Sequence, residues 1–151
     1  MVTGSDVPAM FDTNILIDYL NGIEAAATEL DNFSDKAISV ITWMVVMVGA
    51  APGEETQNIK GFLAQFEMLP IDNTVSAVAV EIRQQLKIKL PDAIILATAR
   101  VHRRLLVTRN TKDFSPDEPG VRMPYIVGGT PSLKVGETRL LEQGTTATPL
   151  K

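Results

Sequence analysis

Residues 10–20 read MFDTNILIDYL, a short apolar run that passes through Asp12 into a helical pattern. A strand, an aspartate at the turn and a helix in this order are typical of an α/β protein. The remaining chain repeats the scheme, because short apolar runs alternate with longer amphipathic ones. The sequence therefore predicts an α/β fold, specifically a three-layer α/β/α sandwich with a mainly parallel sheet.

Two further aspartates stand where a strand ends or a helix begins. Asp92 follows Pro91 at the start of a helix predicted over 91–103, and Asp113 lies just beyond the strand predicted at 105–108. Open α/β sheets bind ligands outside the carboxyl ends of their strands. Hard cations such as Mg²⁺ and Mn²⁺ take oxygen ligands from carboxylates, water and phosphate. Asp12, Asp92 and Asp113 therefore predict a divalent-metal site.

Each of these aspartates also has a purely structural interpretation. Asp12 is a favourable N-cap for the first helix. Asp92 lies in a first helical turn after Pro91, where a negative charge complements the helix dipole. Asp113 suits the cap of a loop. The position of these residues alone leaves both interpretations open.

Composition narrows the class of protein. A chain of 151 residues forms one domain with its own core, predicted over 9–127 between an N-terminal extension (1–8) and a C-terminal tail (128–151). The absence of cysteine excludes disulfides and thiolate catalysis, and a single histidine excludes a multi-histidine zinc site. The longest apolar run, 37–51, is too short to cross a bilayer, and no signal-peptide pattern opens the chain. These features predict a cytoplasmic protein with no membrane partner.

Basic residues are concentrated near the predicted metal site. The net charge is −4, yet eight of the fourteen Lys and Arg residues lie between Arg83 and Lys112, a segment whose one acid is Asp92. A basic segment beside a carboxylate cluster suits a polyanionic substrate whose phosphate meets the metal. Basic residues on solvated helix faces are an equally common explanation.

Four segments, in order and spacing, resemble PIN-domain nucleases of the VapC toxin type. They are the opening segment 10–20, LPDAIILATA at 90–99, VTRNTKDF at 107–114 and GVRMPY at 120–125. The resemblance implies cleavage of RNA at a Mg²⁺ or Mn²⁺ site of four acidic residues, three of which are Asp12, Asp92 and Asp113. It also implies a homodimer and a cognate antitoxin, which covers the active site and through which alone the complex binds operator DNA.

One position departs from the family's pattern. The second acid of the family is a Glu one turn into the helix after the second strand, and Val45 occupies its place in ITWMVVMVGA (41–50). If Thr42 caps this helix, position 45 is the third helical residue, where a Glu would complete a capping box. We therefore expect an impaired ribonuclease. The alternative is a catalytically inactive PIN domain that binds antitoxin or RNA without cleaving it.

Two other protein classes also place acids at strand ends. A haloacid-dehalogenase-type phosphatase has a second Asp two residues after the first, where this chain has Asn14, and a response-regulator receiver has paired acids at the first strand. Neither pattern is present. Among the neighbouring polar residues, Thr108 and Asn110 are candidates for orienting a carboxylate or a water molecule. Asp18, one turn beyond Asn14, is expected to be solvated.

Overall fold

A computed structural model describes residues 6–127 of the chain. The predicted tail at 128–151 and the first five residues of the predicted extension lie outside the described residues. The strands are β1 (Ala9–Phe11), β2 (Lys36–Ser39), β3 (Glu67–Leu69), β4 (Leu105–Val107) and β5 (Val121–Arg122). The helices are α1 (Thr13–Leu20), α2 (Glu24–Asp31), α3 (Val40–Val48), α4 (Glu54–Leu63), α5 (Asn73–Leu86) and α6 (Leu90–Val101). In this part of the chain, no helix is long and apolar enough to span a membrane.

The five strands form one sheet in the order β3-β2-β1-β4-β5, and every neighbouring pair is parallel. The chain moves outward from β1 through β2 to β3, then returns to the other side of β1 as β4. The order of the strands thus reverses between β1 and β4, and a crevice opens at such a switch point at the carboxyl ends of the strands.

Apolar side chains of the central strand β1 face opposite sides of the sheet, as alternation along a strand requires. Ala9 and Phe11 pack in a core with side chains of α1 to α4, where the Phe11 ring meets Phe33 and Phe66 edge-on at centroid distances of 5.7 and 6.2 Å. Met10 packs with side chains of α5 and α6 on the other side. Helices therefore cover both faces, and the predicted α/β/α sandwich with a parallel sheet is confirmed.

The start of α3 differs from the prediction. Ser39 is the N-cap, because its Oγ accepts a hydrogen bond of 3.1 Å from the Ile41 N–H. The apolar run 37–41 predicts a strand through Ile41, whereas β2 ends at Ser39. Thr42 is the third helical residue and is fully buried. The prediction that Thr42 caps this helix was therefore wrong, and so was the capping-box argument for position 45. Locally, the β-branched residues after Ser39 suit a strand as well as a helix, so the sequence allows the strand to end at Ser39 or further on. Packing in the folded protein decides where it ends.

Candidate functional site

An open cavity of about 850 Å³ lies beside the carboxyl ends of β1 and β4, at the switch point of the sheet. Its walls come from the start of α1, one side of α3, the start of α6 and the segment after β4. The side chains of Asp12, Val45, Asp92 and Asp113 all line it. The three aspartates that the sequence singled out thus share one cavity, although they lie in three distant segments of the chain.

Asp12 lies at the base of this cavity and is 5% exposed. Its Oδ1 accepts a hydrogen bond of 2.7 Å from the Thr13 N–H, so that it is also the N-cap of α1. Its Oδ2 accepts hydrogen bonds from the Thr108 hydroxyl at 2.8 Å and the Asn14 amide at 3.3 Å. Burial raises the pKa of Asp12, and these hydrogen bonds oppose the rise. The structural and functional interpretations of Asp12 are therefore compatible.

Asp92 and Asp113 are neighbours that share a hydrogen bond and are both partly exposed. Burial, this hydrogen bond and the charges of Asp113 and Asp12 raise the pKa of Asp92 to about 7. The pKa of Asp113 is lowered, first by a hydrogen bond from Asn110 and also by the one from Asp92. Asp92 therefore loses its proton only near neutral pH, because burial and the neighbouring acids disfavour its charged form.

Polar side chains hold the acids in place. The Asn14 amide nitrogen lies 3.2 Å from the Thr108 hydroxyl, and the Arg109 N–H donates to the Asn14 Oδ1 at 3.2 Å. Asn110 donates to the Asp113 carboxylate at 3.1 Å and accepts from the Asp113 N–H at 3.1 Å. The contacts of Thr108 and Asn110 agree with the carboxylate-orienting role considered from the sequence.

Val45 faces the same cavity from α3. Its side chain is 48% exposed, and it lies in the second turn of the helix counted from Ser39. The neighbouring Thr42 is joined to α1 through a hydroxyl–hydroxyl hydrogen bond of 2.9 Å with Thr13. An apolar isopropyl group therefore stands on the wall of a cavity that contains three carboxylates.

Asp18 is buried, so the prediction that it is solvated was wrong. Its carboxylate accepts hydrogen bonds from the Arg109 Nε at 2.5 Å and Nη2 at 3.0 Å, and another from the Tyr125 hydroxyl at 2.9 Å. Arg109 also donates to the Val127 carbonyl at 3.3 Å. These partners lie 91 or more positions from Asp18 in the sequence, and no local signal indicates them. This cluster ties α1 to the loop that carries Asp113.

Three of the eight basic residues in the segment 83–112 are engaged in ion pairs. Arg100 pairs with Glu118, Arg109 pairs with Asp18, and Arg104 pairs with two acids at 2.8 Å each. Lys89 and Lys112 are exposed and line the cavity. The basic segment is therefore not one continuous surface beside the acids.

The donor chemistry of the cavity fits a hard divalent cation, since three carboxylates and the Asn110 amide carbonyl supply oxygen ligands of the kind that bind Mg²⁺ together with water. Burial is the main cause of the raised pKa of Asp92 and the charges of Asp113 and Asp12 add to it, so a cation would relieve that part of the cost. Within residues 6–127, however, no three acidic or histidine side chains converge closely enough to form a ready-made metal cluster. Any ion would therefore draw part of its coordination from water or substrate.

The segments that form the cavity can be compared with known protein families. The PIN domain family matches residues 9–115, which include all three aspartates. Among curated proteins, no relative matches the chain.

Several solved structures have the same fold. A toxin–antitoxin complex from Klebsiella pneumoniae contains a chain 48% identical to this one, with a TM-score of 0.75 over 79% of this chain and 99% of that chain. DNA-bound VapBC from Salmonella typhimurium is 26% identical, with a TM-score of 0.64 over 77% of this chain and 96% of that one. FitAcB from Neisseria gonorrhoeae is also 26% identical, with a TM-score of 0.66 over 79% and 99%.

Proposed function

Because this chain belongs to the PIN domain family, we propose that it is a divalent-metal-dependent endoribonuclease and the toxin of a type II toxin–antitoxin pair. The observation that carries the proposal is the meeting of Asp12, Asp92 and Asp113 in one cavity at the switch point of the sheet. In this proposal the three residues are both the catalytic groups and the metal ligands.

Mg²⁺ or Mn²⁺ held by these carboxylates would make water a stronger nucleophile and would stabilise the charge that develops on the phosphate. The Thr108 hydroxyl and the Asn14 amide hold one oxygen of Asp12, which leaves its second oxygen beside the Thr13 N–H. Asn110 fixes Asp113 in the same way. The chain thus supplies acids whose orientation is set before the substrate arrives. Such prior orientation of catalytic groups accounts for much of the rate enhancement of enzymes.

Val45 impairs this activity in the proposal. The isopropyl group provides neither a ligand nor a group to orient water, and it stands on the wall of the cavity. The same observation favours a second candidate function, a catalytically inactive PIN domain that binds antitoxin or RNA without cleaving it.

Cleavage of a labelled single-stranded RNA with Mg²⁺ or Mn²⁺ tests both candidates. We expect slow, chelator-sensitive cleavage by this chain and much faster cleavage by Val45→Glu. No cleavage by either protein, with RNA or antitoxin binding retained, would favour the second candidate. Cleavage that continues at the same rate in Asp12→Asn would contradict the proposed site.

The partner in this proposal is a cognate antitoxin, supported by the similar chains found in toxin–antitoxin complexes. The antitoxin would cover the cavity, and the complex would contact operator DNA through the antitoxin alone. Such a pair acts in the cytoplasm. Coexpression with the neighbouring open reading frame, followed by copurification, tests this part of the proposal.

We also propose that the chain forms a homodimer. The support is a set of large apolar side chains left exposed on adjoining elements, namely Met44 and Val48 of α3 and Met68 of β3, with Val48 85% exposed. Monomeric proteins rarely leave such side chains clustered in water. Light scattering at micromolar concentration should give twice the 16.4 kDa mass of the chain, and a persistent monomer would contradict the proposal.

A further inference from the structure

Two lysines at the mouth of the cavity are free of ion pairs. Within residues 6–127, the ion pairs of basic residues involve five arginine contacts and no lysine. Lys89 and Lys112 are both exposed and both line the cavity that contains the aspartates. Their ammonium groups are therefore available to a ligand that enters it.

Each lysine accompanies one of the two acids nearer to solvent. Lys89 is the N-cap residue of α6, three positions before Asp92. Lys112 directly precedes Asp113 in the segment after β4. The two lysines thus line the same cavity from different loops.

From this placement we infer that Lys89 and Lys112 form a two-lysine clamp, which binds backbone phosphates of an RNA strand on either side of the carboxylates. The inference rests on the proposed ribonuclease function and names the residues that hold its substrate. Acidic side chains alone repel a polyanion, so a nuclease pocket needs nearby positive charge that the acids do not neutralise. A lysine ammonium binds phosphate as a mobile point charge, which suits contacts that need not depend on base sequence.

The other basic residues of the segment 83–112 are not part of the clamp. Arg100, Arg104 and Arg109 are engaged by acids of the protein itself. Arg83, Lys87 and Arg103 are exposed but do not line the cavity. The inference therefore reduces a basic segment of eight residues to two that touch RNA.

The salt dependence of RNA binding tests the clamp. Binding of a fluorescent single-stranded RNA to this chain is measured by anisotropy over a KCl titration at fixed MgCl₂, and a gel verifies that the RNA stays intact. Each phosphate contact contributes a slope of roughly 0.7 in a plot of log affinity against log salt for single strands. The double variant Lys89→Gln/Lys112→Gln should therefore lose roughly 1.4 of the parental slope, twice that contribution.

A matched control removes the same charge elsewhere. Lys60 of α4 and Arg103 are exposed and do not line the cavity, so Lys60→Gln/Arg103→Gln should keep the parental slope. An unchanged slope in the cavity variant, or an equal loss in the control, overturns the clamp while leaving the proposed function intact. If the parent binds no RNA at any salt concentration, both the clamp and the RNA-directed function are wrong.

Discussion

Two groups of carboxylates near α1 have opposite surroundings. Asp18 and Glu29 are buried and each is bound by an arginine through two hydrogen bonds, Asp18 by Arg109 and Glu29 by Arg122. Asp12, Asp92 and Asp113, in the neighbouring cavity, make no ion pair with any basic residue of the described chain. The first group joins the last strand region to α1 and α2. The second group has no arginine partner, and its acids act on one another.

The difference indicates what each group does. A buried carboxylate with a paired arginine is satisfied and binds nothing further, although breaking the pair is costly. In the cavity, the charges of Asp12 and Asp113 help to raise the pKa of Asp92, and a cation from solution relieves that repulsion. The proximity of the two groups shows that burial alone does not distinguish a structural acid from a functional one. The identity of the partner does.

Breaking the more buried of the two ion pairs, between Arg109 and Asp18, should have the largest effect on stability. Arg109→Met leaves the Asp18 carboxylate, 4% exposed in its side chain, without its cation, and we expect a loss of about 3–5 kcal/mol in the free energy of unfolding. Urea denaturation measures it. Arg104→Met is the matched control and should cost much less, because its partners Asp35 and Glu67 are about half exposed and regain water.

Extending the unpaired group should have the next largest effect. Val45→Glu adds a fourth carboxylate to the cavity, and we expect RNA cleavage to rise about 100-fold, because a correctly placed group is worth that much in many active sites. Calorimetric Mn²⁺ titration should show tighter binding in the same variant. Val45→Gln, of nearly equal size to the Glu variant but neutral, is the control and should gain little. Equal rates and affinities for the parent chain and Val45→Glu would mean that position 45 is not part of the site.

Of the two paired carboxylates, Glu29 has the more exposed arginine partner, so a change there should reduce stability less. Glu29→Gln keeps the shape of the side chain but removes its charge and one acceptor for Arg122, whose side chain is 45% exposed. We expect a loss of about 1–2 kcal/mol in the free energy of unfolding. Thermal denaturation measures the change, and a cost equal to that of Arg109→Met would contradict the contrast between buried and exposed partners.

Neutralising one unpaired acid should stabilise the protein slightly. The folded-state pKa of Asp92, about 7, exceeds its ordinary value of 3.8, so the native state holds a proton that the unfolded state releases. Stability is therefore lost as pH rises from about 4 to about 7. With chelator at pH 8, Asp92→Asn should gain about 1 kcal/mol, a value reduced because water screens this partly exposed carboxyl.

The gain should disappear near pH 4, where Asp92 is largely protonated in both states. Asp117→Asn, an exposed acid in the segment after β4, is the control and should change unfolding at neither pH. A gain that is the same at both pH values would show that it does not come from the charge of Asp92.

The order of the elements could be read from the sequence, because strands and helices follow local patterns of apolar residues. The strand before Asp12 and the helix after it both agree with the structure. The boundary at Ser39 could not be read in the same way. Residues 44–48 are apolar on every side and rich in Val, so their pattern supports a longer strand as well as a helix, and only packing selects one.

By itself, the sequence determined that Asp12 and Asp113 follow strands and that Asp92 begins a helix, and it predicted that all three would lie near the carboxyl edge of a parallel sheet. Only the tertiary structure decided the partners of each charge. In the sequence, Asp18 cannot be distinguished from a surface acid, because its partner Arg109 lies 91 positions away. Likewise, the sequence does not distinguish Lys89 from Arg104, which the structure shows bound to Asp35 and Glu67. Strand ends are local properties of the chain, whereas charge pairing depends on which distant segments the sheet brings together.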